Sequence, residues 1–99
     1  MQSALEIHER RRTDKVVEFA LQGELDICSG APLAMRLADE GRRGIRVVVD
    51  LAGLDFIDPA GMSVLQRARL WAGEEGWELS ITGPQPNVSR VLALTDLAA

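Results

Sequence analysis

The chain has 99 residues, of which 46% are apolar and 26% charged, with a formal net charge of −4. That is enough for one compact core, so a single small soluble domain spanning 1–99 is expected rather than two. No apolar run approaches the roughly twenty residues of a membrane span, which excludes direct insertion by a helix. The acidic balance argues against nucleic acid as a partner, because phosphate backbones reward clustered positive charge.

The N-terminus carries Glu6, Glu9, Arg10, Arg11 and Arg12 and has no apolar signal-peptide core, so a cytoplasmic protein is expected. Cys28 is the only cysteine. Neither an intrachain disulfide nor a cysteine-built metal site can form, and Cys28 reads as a small buried hydrophobe near a helix start.

Leu5 to Glu9 alternates weakly and Val16 to Leu21 more clearly, with Val17, Phe19 and Leu21 on one face. The charged stretch Arg10 to Lys15 between them reads as the solvated turn of a hairpin. Gly23 predicts another turn, and Glu24-Leu25-Asp26 a short strand leading to a helix. Ser29 and Pro32 stand just before Leu33/Leu37 and Ala34/Ala38 at i,i+4 spacing, which predicts a helix capped by Ser29, with Pro32 in its first turn and its end at Gly41. Ile45 to Leu51 has too many consecutive apolar positions for a strand with one wet face, and reads as a central strand covered on both faces.

After Asp58-Pro59-Ala60-Gly61 the spacing turns helical, with Met62, Leu65, Ala68 and Ala72 on one face and Val64 and Trp71 at its margin. Gly76 closes this helix. Trp77, Leu79 and Ile81 alternate as a strand, Gly83-Pro84-Gln85-Pro86 turns the chain, and Asn87 caps a short last helix with Val88, Val91 and Leu92. Trp71 and Trp77 read as core or rim. The order predicts an α/β fold: a mixed β-sheet with both main helices on one face through right-handed crossovers.

Little of this resembles catalytic machinery. There is no phosphate loop, no dinucleotide turn and no nucleophile elbow, and His8, the sole histidine, sits in a surface strand between Glu6 and Glu9. Ser63 has no base nearby and reads as a polar first-turn residue, with modification or partner contact as alternatives. Asp50, Asp55 and Asp58 gather near a strand end and could hold a hard cation. Asp58 before Pro59 also fits an N-cap followed by a first-turn proline. Asp26 is a loop or cap residue, or a partner contact. No enzyme activity, cofactor or metal is expected. The strand-to-helix junction from Val47 to Met62 is the candidate binding site, since a helix N-terminus suits an anion, a phosphorylated side chain or a partner's carboxylate.

Gly23-Glu24-Leu25-Asp26, the strand Val47 to Leu51, Phe56-Ile57-Asp58-Pro59-Ala60-Gly61-Met62 and Val91-Leu92-Ala93-Leu94-Thr95-Asp96-Leu97 together resemble the STAS domain family of anti-sigma factor antagonists. The resemblance covers about Leu5 to Leu97. It implies a mixed sheet backed by helices and a protein-binding function, in which the antagonist binds an anti-sigma factor that is also a serine kinase. Phosphorylation of the antagonist ends that binding. In the family the accepting Ser or Thr follows the aspartate at this helix start; here that position is Pro59, followed by Ala60, and neither has a hydroxyl. Neither Ser63 nor Thr95 inherits the role. The resemblance thus implies a partner surface of Asp26, Asp58, Pro59, Ala60, Gly61, Met62 and Ser63 without the usual switch. Some small STAS-like proteins instead bind the ATPase of an ABC lipid-transport system through a turn resembling Asp-Thr-Ala-Gly, which Ala60-Gly61 matches and Pro59 does not. Many relatives continue a little beyond the position of Leu97, and the shorter C-terminus leads us to expect a sheet edge or groove open to a partner or to a second copy.

Overall fold

Apolar residues two apart on two neighbouring strands, Val17, Phe19 and Leu21 on one and Val47, Val49 and Leu51 on the other, form the wall on which the molecule is built. The computed structural model describes residues 5–94. The elements are β1 (Leu5–Thr13), β2 (Val16–Leu25), α1 (Ile27–Arg42), β3 (Arg46–Ile57), α2 (Pro59–Glu75), β4 (Leu79–Thr82) and α3 (Pro86–Leu92). The four strands lie side by side in chain order, β1 antiparallel to β2 and the other two pairs parallel.

Leu33, Leu37 and Ala38 of α1 and Leu65, Ala68 and Ala72 of α2 pack on that wall in one buried cluster, joined by Val88 and Leu92 of α3. Each fully buried leucine contributes about 1.5–3 kcal/mol. Phe19 is also wholly buried, and the Arg36 guanidinium lies 5.3 Å from its ring centre. Trp77 is buried and Trp71 half-buried at the rim.

Several sequence expectations need correction. The segment Ile45 to Leu51 is central but not covered on both sides. Arg46 is exposed, and Val48 and Asp50 are half-buried. Val48 stands between Glu18 and Ser80 of the neighbouring strands, on the face opposite the one from which Val47 and Val49 enter the core. Gly23 is not a turn. At φ +97° it sits inside a continuous β2, next to a shift in register against β3. Arg10 to Thr13 continue β1 instead of turning, since their charges find partners across the fold: Arg12 bonds Glu18 at 2.9 Å and Arg11 bonds Glu40 at 2.5 Å. Cys28 is exposed, not buried.

The helix ends also differ. Asp26 caps α1 and Ser29 is its third residue, so Pro32 lies inside the helix. Gly41 does not end α1; it is pressed against the indole of Trp77, where any side chain would collide. The left-handed glycine comes later, at Gly44 with φ +82°. Asp58, Pro59 and the left-handed Gly76 bound α2 as the sequence predicts. Gln85, not Asn87, precedes α3. The Asn87 side chain donates to the Asp55 carbonyl at 2.7 Å and Gln85 to the Ala52 carbonyl at 2.9 Å. Past Asp50, where β4 no longer pairs with β3, these two amides bond its carbonyls instead.

The C-terminal ends of the two main helices are tied by Arg42, which donates to both oxygens of Glu75 at 2.8 and 2.9 Å, while the Trp77 indole N–H donates to Glu75 at 2.9 Å. The Arg42 guanidinium, and after it the indole N–H, holds the Glu75 carboxyl below its usual value of 4.5. A carboxyl depressed on folding adds stability above its unfolded pKa and loses it as pH falls through the folded one. Glu75→Gln should therefore lower the melting temperature at neutral pH, with the gap to the parent protein closing as melts are taken at pH values below 4.5.

Candidate functional site

The parallel pairing of β2 with β3 ends at Leu25 beside Ile57, so the next residues, Asp26 and Asp58, emerge side by side. Each opens a helix. The Asp26 carboxylate accepts the backbone N–H groups of Cys28 at 2.9 Å and Ser29 at 3.1 Å, and the Ser29 hydroxyl accepts the Asp26 N–H at 3.2 Å. The Asp58 carboxylate accepts the Gly61 N–H at 2.6 Å. The Asp58 N–H in turn donates to the Leu25 carbonyl at 3.4 Å, which ties the start of α2 to the end of β2.

Two glycines allow this approach. Gly61 lies on the Leu25 carbonyl, and Gly30 of α1 lies on the Val64 side chain of α2; a methyl group at either would collide. Pro59 takes the first helical position, where its missing N–H costs nothing. Pro59 and Ser63 are exposed, Ala60 and Met62 half-buried and Gly61 buried. The Ser63 hydroxyl donates back to the Pro59 carbonyl at 2.9 Å. The structure thus brings Asp26, Asp58, Pro59, Ala60, Gly61, Met62 and Ser63 to one end of the molecule, with Gly61 acting as a packing residue beneath the surface.

Two expectations of the junction change. Most of its N–H groups are not open to an anion: proline has none, that of Gly61 goes to the Asp58 carboxylate, and that of Met62 goes to the Asp58 carbonyl at 2.9 Å, which leaves only that of Ala60. Nor do Asp50, Asp55 and Asp58 form a cation site. Asp50 accepts from the Ala52 N–H, Asp55 receives the Gln85 amide, and Asp58 caps its helix, so the three carboxylates serve separate local donors. Among the described residues no cluster of carboxylate, imidazole or thiol groups could hold a metal ion.

Sequence reasoning missed Phe56, which is 48% exposed just ahead of the turn and beside Glu24. The signal was present: Leu51, Leu54 and Ile57 recur at threes, a spacing that register shifts in β2 and β3 accommodate, and it leaves no inward position for Phe56. A hollow of about 560 Å³ lies at the opposite end, lined by residues that include Lys15, Arg42, Arg46, Glu75 and Trp77. Arg42–Glu75 and Arg46–Glu78 ion pairs occupy its walls. No described helix is long and apolar enough to cross a membrane.

A family model described as "Mlab, STAS domain" matches residues 8–99. The chain belongs to the STAS domain family. Its fold is that of SpoIIAA-like antagonists. The structure of the anti-sigma factor antagonist SpoIIAA in its unphosphorylated form superposes with a TM-score of 0.80 at 17% identity, over 94% of this chain and 83% of that one. An anti-sigma factor antagonist from Mycobacterium paratuberculosis gives 0.77 at 20% identity, over 94% and 79%. The STAS domain of an antagonist from Rhodobacter sphaeroides gives 0.66 at 19%, over 98% of each chain. No curated protein sequence matches. The Thr95-to-Leu97 part of the late motif lies outside the described residues.

The cap and the close contact beneath it make separate predictions. Asp58→Ala should cost about 1 kcal/mol of unfolding free energy through the lost cap. Gly61→Ala should cost about 1–3 kcal/mol through overpacking against Leu25. Denaturant melts would check both, and a Gly61→Ala protein as stable as the parent would contradict the tight contact.

Proposed function

We propose that this STAS domain is a regulatory protein-binding module of the cytoplasm, similar to an anti-sigma factor antagonist, which docks on an anti-sigma factor that is also a serine kinase. It has no catalytic step and no cofactor of its own. The docking surface is the exposed turn from Asp58 to Ser63 with Asp26 beside it. The observation that carries the reading is the family pattern along nearly the whole chain, with Pro59-Ala60 at the start of α2, where the family's antagonists have a serine or threonine. The first hydroxyl beyond it, that of Ser63, lies one turn down the helix and is donated to the Pro59 carbonyl. A kinase docked here finds no acceptor at the usual position, so phosphorylation, which adds about two negative charges, does not end the complex.

A second reading is an accessory subunit of an ABC lipid-transport system, bound to its ATPase. Two observations favour it: the matching family model is the one described as "Mlab, STAS domain", and Ala60-Gly61 fits the Asp-Thr-Ala-Gly-like turn of such subunits.

An affinity pull-down from the native cytoplasm, with partners identified by mass spectrometry, separates the two. The first reading expects a histidine-kinase-like anti-sigma factor that transfers phosphate to a Pro59→Ser variant and not to the parent protein. Recovery of an ABC ATPase and permease without a kinase would select the second.

A further inference from the structure

Strand β1 forms one side of the sheet, and from Glu6 to Thr13 no other described strand pairs with its outer edge. Exposed edges are commonly blunted by shortness, charged side chains, proline, a bulge or a covering segment. β4, the opposite edge, is short, with four residues. β1 has nine, contains no proline, and keeps regular register with β2 from Leu5 to Arg11, with its one irregularity at Arg11/Thr13 next to the turn; its protection is charge, in Glu6, Glu9, Arg10, Arg11 and Arg12.

The charges along this edge are sorted by sign. Glu6 and Glu9 lie in the first half and Arg10, Arg11 and Arg12 in the second. A strand of one sign repels a second copy, whereas one divided this way is complementary to itself when the copies run antiparallel. With the two-fold axis near His8, Glu6 of each copy stands across from Arg10 of the other. Both side chains lie on the open face of the sheet, away from the helices. They are 71% and 64% exposed, and their partners within the chain are loosely held: His8 at 3.4 Å and Glu18 at 3.9 Å.

We infer that β1 is a self-association edge, on which a second copy of this chain adds its own β1 antiparallel and extends the four-stranded sheet into one of eight strands. The α2 turn follows β3, two strands away, and stays open in such a pair. A dimer would therefore present two docking turns. The contact is narrow and charged, so association is weak and falls with added salt.

Sedimentation velocity over a concentration series at low salt tests this with two opposite variants. The parent protein is expected to show a monomer–dimer equilibrium. Glu6→Arg makes the edge more basic and Arg10→Glu makes it more acidic, and each alone should weaken the dimer by about tenfold or more by placing like charges across from one another. An equimolar mixture of the two should recover it. Both positions are exposed, and circular dichroism of each variant checks that the fold is kept. A parent protein that stays monomeric at the highest concentrations would overturn the inference, as would variants that dimerise as the parent does or a mixture that does not recover the dimer.

Discussion

The parallel pairing of β2 with β3 is the constraint on which the candidate site depends. It carries the two strands to a common end at Leu25 and Ile57 and so sets two aspartates side by side, each opening a helix. Pairing alone would not suffice; the two helix starts must also pack closely. Gly61 rests on the Leu25 carbonyl and Gly30 on Val64, so the first turns of α1 and α2 stand as one rigid block on the end of the sheet. One main-chain contact, one side-chain contact and the two aspartate caps set this geometry.

That arrangement explains how the fold accommodates proline at the start of α2. Pro59 fits the first helical position as well as a serine would, because the N–H it lacks is one that a helix start does not use. Asp58 still caps the helix through the Gly61 N–H. Apart from that N–H, what Pro59 lacks beside a serine is a hydroxyl. A turn held by a ring with fixed φ also has little conformational entropy to lose when a partner covers it.

Most of the architecture was legible in the sequence because it is written in periodicity. The apolar alternation of Val17 to Leu21 and the Asp58-Pro59 start stand as read, and so does the face of Leu65, Ala68 and Ala72 in α2, though Val64, read as marginal, is buried and Met62, read as core, is half-buried. The failures have physical causes. Ser29 looked like a cap because it precedes an apolar helical face, but Asp26 stands three residues earlier and the two are reciprocal members of one capping box. Gly41 and Gly23 looked like stops, yet one is small so that Trp77 can pack and the other adopts positive φ within a bulged strand. Val48 suggested burial on both faces, whereas it stays half-buried between its strand neighbours. At the candidate site, the Asp58-Pro59 helix start was legible in the sequence, but the exposure of Phe56 was not, because it depends on register shifts that only the paired strands reveal.

The two amides on the far side of β3 have a consequence for how the protein misbehaves when damaged. Gln85 and Asn87 occupy carbonyls of a strand that has outrun its neighbour, doing with side chains what β4 does with backbone. Loss of α3 by proteolysis or mutation would uncover the stretch Leu51 to Ile57, an extended segment holding Leu54, Phe56 and Ile57, along one edge. Such a segment is a template for cross-β addition. Damage at this short helix would therefore appear first as aggregation, with the turn at the start of α2 still intact.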